Sequence, residues 1–151
     1  MKPLLLALIT FIALTCNASP LLSGQNEVRS EQLPHIVVRI KVGPVAQADC
    51  DGWRWGAENA CPSLNLVAIE VLERDDPIFV PRSAFSDLGS PYFASLHKLR
   101  VGFELLLKGG DASTSYLAIY RFSHRQIKSR KVTSGEFPGT AWEHTDYSFP
   151  K

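Results

Sequence analysis

The feature that most limits what this chain can fold into is the alternation running from His97 to Phe122. Leu99, Val101, Phe103, Leu105 and Leu107 share one parity, and Arg100, Gly102, Glu104, Leu106 and Lys108 the other. A two-residue period sends successive side chains to opposite faces of a strand, one of them buried. Beyond Lys108-Gly109-Gly110-Asp111 the pattern resumes, with Thr114, Tyr116, Ala118, Tyr120 and Phe122 on one face and Ser115, Leu117, Ile119 and Arg121 on the other. Two successive glycines accept the positive φ angles of a tight primed turn. The stretch therefore predicts one long antiparallel hairpin.

The rest of the chain reads in the same idiom. Ile36, Val38, Ile40 and Val42 alternate with Val37, Arg39 and Lys41, giving a β-branched strand that Gly43-Pro44 stops. Leu64 to Leu72 is apolar on both faces and predicts a central strand, ended by Glu73-Arg74-Asp75-Asp76-Pro77. Pro81 to Leu88 reads as a short helix: Pro81 suits its first position, Gly89 the position after its last turn, and Ala84, Phe85 and Leu88 would face inward. After Phe122, His124-Arg125-Gln126 turns the chain into a strand from Ile127 to Ser134, and Gly135 to Gly139 turns it again before Trp142 to Phe149. The fold class expected is mainly β, an antiparallel meander forming a curved sheet, a small sandwich or a partly open barrel, with one short helix. Three segments are expected: a secretory signal over 1–18, a flexible lead over 19–34 that mixes polar residues without periodicity, and one β-rich domain over 35–151.

Compartment and partner class follow from the ends and the charges. Lys2 precedes an apolar run from Leu4 to Leu14 that is too short to span a bilayer, and Cys16-Asn17-Ala18 places small residues where signal peptidase cuts. A periplasmic or secreted protein without a transmembrane segment after cleavage is the expectation. Lipidation of Cys16 is the competing reading, weakened by the missing small residue directly upstream of that cysteine. The chain carries 16 Lys and Arg against 15 Asp and Glu, and losing Lys2 with the signal leaves both at 15. Such neutrality argues against nucleic acid as a partner, since phosphate demands a basic face. In an oxidising compartment the two remaining cysteines, Cys50 and Cys61, are expected to be bridged.

Two stretches carry candidate site residues. Within the loop that Cys50 and Cys61 would staple, Trp53 and Trp55 lie two apart beside Asp51 and Arg54, a rigid aromatic platform for a partner; the plain alternative is that both indoles plug one end of the core. In the run from Glu143 to Asp146, Glu143, His144 and Asp146 offer metal ligands or a general acid and base. Strand geometry would nevertheless put His144 and Asp146 on one face and Glu143 on the other. The Gly109 to Ser115 loop lacks the following helix that a phosphate cradle uses and the Gly-x-Ser-x-Gly elbow of a serine hydrolase, and Asp111 is read as a turn residue. Arg125, Lys128, Arg130 and Lys131 are read as a charged edge strand that resists aggregation. Taken together, these features predict a small exported bacterial protein that works by contact with another protein, as an inhibitor, immunity factor or envelope-associated binding module, without cofactor or catalysis. The alternative is a hydrolase or metal-dependent enzyme built on the Glu143–Asp146 run.

Overall fold

The computed structural model describes residues 18–45, 54–57 and 61–149. They form ten strands in two open antiparallel sheets. The larger sheet has the order β1 (Ala18–Pro20), β6 (Pro91–Lys98), β7 (Phe103–Gly109), β8 (Tyr116–Ser123), β9 (Gln126–Ser134) and β10 (Ala141–Asp146); the smaller has the order β2 (Gly24–Val28), β3 (Ile36–Pro44), β4 (Leu64–Glu73) and β5 (Asp76–Ile78). Their apolar faces share a single core, with Val38, Ile40 and Val71 from the small sheet meeting Leu96, Leu105 and Phe122 from the large one. The mainly β expectation holds, and of the three architectures the two-sheet sandwich is the one formed.

Phe103, Leu105 and Leu107 are buried, and they pair across the ladder with Phe122, Tyr120 and Ala118 on the same inward face. Both ends of the expected hairpin differ from the alternation. Leu99 to Gly102 is the turn that closes a preceding hairpin, β6–β7, with Val101 exposed; its apolar residues continue the parity of β7 by coincidence. At the far end the chain makes no two-residue primed turn. Gly109 pairs with Tyr116, and the intervening residues include a 3-10 turn, Ala112–Thr114. The Thr114 hydroxyl receives the Asp111 N–H at 3.3 Å and lies 2.9 Å from the Asp111 carbonyl and 3.2 Å from Asp111 Oδ1, and the Asp111 side chain caps the 3-10 turn, the turn role expected of it. Gly110 is required there, because its φ is +72° and a Cβ would lie 2.5 Å from the Thr114 carbonyl and 2.8 Å from Gly56 Cα.

Two further expectations are corrected. The stretch 19–34, expected to be a flexible lead, pairs with β6 and β3 and buries Leu21, Val28 and Leu33. The short helix over Pro81–Leu88 is reduced to one 3-10 turn, Arg82–Ala84, although Ala84, Phe85 and Leu88 are buried as expected. Sheet-like bonding claims the rest: Trp55 bonds the backbone of Asp87 and Gly89, and Leu88 receives the N–H of Leu66, so 87–89 is held extended between two segments.

Bulges decide which side chains face inward. Opposite Lys41 and Val42, Val67 is the extra residue of β4, so Leu66 is buried before it and Ile69 and Val71 after it. The same device acts in β9. Phe122 pairs with Ile127 but Arg121 pairs with Ser129, which leaves Lys128 unmatched and turns Arg130 inward beside Tyr120.

Candidate functional site

The two stretches singled out in the sequence meet in space. Trp55 stacks on Trp142, the bulged residue of β10, with ring centroids 5.1 Å apart and planes 11° from parallel. The Trp55 indole N–H donates to Glu143 Oε2 at 3.4 Å. Glu143 pairs with Val132 and Thr145 with Arg130 across the β9–β10 ladder, so both point to the inner face. There the Thr145 hydroxyl donates to Glu143 Oε1 at 2.8 Å.

Behind this pair of rings lies a charged cluster that the sequence did not disclose. Arg130, with only 2% of its side chain exposed, places Nη2 at 2.7 Å from Asp87 Oδ2 and 3.3 Å from Glu143 Oε2, while Nη1 donates to the Ser83 carbonyl at 3.2 Å. Burial works against a charge on this guanidinium, but the Asp87 hydrogen bond and the neighbouring Tyr120, Asp87 and Glu143 outweigh it and hold Arg130 above its ordinary range. The 81–90 segment is fastened from below as well. Tyr120 donates its hydroxyl to the Ala84 carbonyl at 2.7 Å, and Tyr116 donates to the Gly89 carbonyl at 3.1 Å. Burial pushes both phenols far above their usual range; Asp87 adds to the rise and Arg130 opposes it. Arg130 thus ties three separate parts of the chain to one point: β9, the 81–90 segment and β10.

The reading of Arg125, Lys128, Arg130 and Lys131 as one exposed edge is corrected by this geometry, for β9 lies between β8 and β10 and Arg130 is buried. Of the loop residues, Arg54 donates Nη1 to the Ser86 carbonyl and Trp55 is half-buried, packed against the core. Cys50, Asp51 and Trp53 lie outside the described residues, and with Cys50 goes the pairing expected with Cys61.

In the C-terminal run, His144 Nε2 sits 3.1 Å from Asp146 Oδ1 on the exposed outer face, opposite to Glu143. That is the separation strand geometry predicts, and it keeps Glu143 away from His144 and Asp146. Among the described residues no set of three or more His, Cys, Asp or Glu could hold a metal ion, and no helix is long and apolar enough to cross a membrane. No family model, curated protein or solved structure matches the chain.

Proposed function

We propose that the protein acts by contact with another protein, as a small exported inhibitor, immunity factor or envelope-associated binding module, and that its contact face is the Trp55–Trp142 pair with the adjoining stapled loop. The observation that carries this reading is the stack itself. Trp142 remains 39% exposed while its ring lies on an indole that is hydrogen-bonded to Glu143 and backed by the buried Arg130. A large ring already held in place offers contact area with little conformational freedom left to lose, which is what interface hot spots require. Asp51, Trp53 and Arg54 join this proposal on the sequence reading alone, and a Cys50–Cys61 bridge would limit their loop further. The hydrolase or metal-enzyme reading has less to stand on, since Glu143 is occupied by Trp55, Thr145 and Arg130.

The test is affinity capture from periplasmic extract with the intact protein and with Trp142→Ala, quantified by mass spectrometry beside thermal unfolding. A stoichiometric partner held by the parent and lost by a folded Trp142→Ala variant supports the reading. A partner held equally by both moves the contact face elsewhere.

A further inference from the structure

At the end of the sandwich remote from Trp55, the β2–β3, β4–β5, β6–β7 and β8–β9 connections surround a cavity of about 340 Å³. Leu33 and Phe103, both buried, form its floor, and Phe103 is stacked on Phe122 at 4.9 Å. The rim is basic: the cations Lys98, Arg100 and Arg125 line it with the imidazoles of His35 and His124, against Glu73 as its one carboxylate. These charges are not all used internally. Arg125 pairs with Asp76 at 3.1 Å and His35 lies 3.9 Å from Glu73. The side chains of Lys98, Arg100 and His124 have no ion-pair or hydrogen-bond partner among the described residues.

The backbone here is shaped to present those side chains. His124 and Arg125, at φ +50° and +59°, form the two-residue turn between Ser123 and Gln126. Glycine and asparagine fill such positions most readily, so two long polar side chains occupy a conformation that disfavours them, beside a cavity. The β6–β7 turn is clamped as well. Gly102 has φ +77° and a Cβ on it would lie 1.8 Å from the Phe122 carbonyl oxygen, so the turn bearing Arg100 and Val101 rests directly on β8. Val101, at its tip, is 55% exposed and adds an apolar surface beside the cations.

We infer that this cavity binds an organic anion, its carboxylate or phosphate between Lys98, Arg100 and His124 and its apolar body against Leu99, Val101 and Phe103. The volume suits a small molecule or a single chain end, and unpaired cations held by a fixed backbone favour an anion by charge-assisted hydrogen bonding. The site is separate from the Trp55–Trp142 face and does not depend on it. Amide NMR titration of the whole mature protein at low salt tests it, with benzoate, phenylphosphate, neutral benzyl alcohol, and acetyl-Gly-Gly-Phe as free acid and as amide. The expected result is saturable shifts confined to 98–103 and 123–125 with the anions, weakened roughly tenfold or more in Lys98→Ala with Arg100→Ala, whose exposed side chains, at the last residue of β6 and in the turn after it, leave melting unchanged. Tighter binding of the peptide acid than of benzoate would make the source a chain end on a partner, and the reverse a free metabolite. An equal response to benzyl alcohol, unchanged affinity in the double variant, or no saturable shift with any anion would each overturn the inference.

Discussion

Replacing Arg130 with methionine tests whether the charged cluster holds the aromatic face together. The substitution keeps most of the aliphatic volume but removes the contacts to Asp87, Glu143 and the Ser83 carbonyl. Breaking a fully buried ion pair from one side costs about 3–5 kcal/mol, because a charge is left behind without its counterion. Here two features lower the figure. Asp87 and Glu143 each keep 27% of their side-chain surface exposed, so water takes over part of the solvation. The cluster is also imperfect, since Asp87 Oδ1 and Arg130 Nε are buried without a partner among the described residues. The expected loss is therefore about 3 kcal/mol, at the lower end of that range, or roughly 12 °C in melting temperature for a domain of this length at about 4 °C per kcal/mol. Thermal unfolding followed by circular dichroism measures it, and the exciton couplet of the stacked indoles reports the local effect in the same spectrum. Adding Asp87→Asn and Glu143→Gln to Arg130→Met should recover most of the loss, because no carboxylate is then stranded. An Arg130→Met protein that melts at or above the parent temperature with its couplet intact would show that desolvation cancels the attraction, and that packing alone positions Trp55 and Trp142.

Gly110→Val should destabilise by about 3 kcal/mol or more from positive-φ strain and overlap with Thr114 and Gly56, whereas Asp111→Ala should cost only about 1 kcal/mol, the value of a lost cap; equal melting points would mean that the close approach of Gly56 is unimportant. Since burial raises Tyr116 and Tyr120, the unfolded chain releases their protons from about pH 10 upward while the folded chain keeps them, so their contribution is intact below that pH and falls above it by about 1.4 kcal/mol per pH unit for each phenol. Urea midpoints at rising alkaline pH should show that slope, reduced in Tyr116→Phe, and an identical slope in the variant would refute the assignment. Thiol labelling of denatured, unreduced, periplasmically expressed protein should find neither Cys50 nor Cys61 reactive; stoichiometric labelling of both would remove the proposed staple.

Much of the fold was legible because it rests on local alternation. Ile36 to Val42, Phe103 to Leu107 and Tyr116 to Phe122 each place one parity in the core, and a half-buried strand writes that pattern directly into its sequence. β6 was missed because Pro91 opens it and Ser95, His97 and Lys98 dilute its apolar signal. The helix over Pro81–Leu88 was overread, since its end signals are local whereas the bonds that pull Asp87 to Gly89 straight come from Trp55 and Leu66.

By itself the sequence determined a mainly β, antiparallel fold and several of its strands, leaving curved sheet, sandwich and partly open barrel undivided, and it marked Trp55 and the Glu143 to Asp146 run as chemically unusual. It also determined that His144 and Asp146 would part from Glu143, because strand parity is a local property. Only the tertiary structure decided that the two marked stretches are one place. The bulge at Lys128 is set by pairing with β8, and without it the parity of Ile127 would point Arg130 to solvent. The bulge at Trp142 is likewise set by β9 and brings its ring onto Trp55. A side chain's face is written locally only while the register is unbroken; each extra residue reverses it, and where that residue falls is determined by the neighbouring strand.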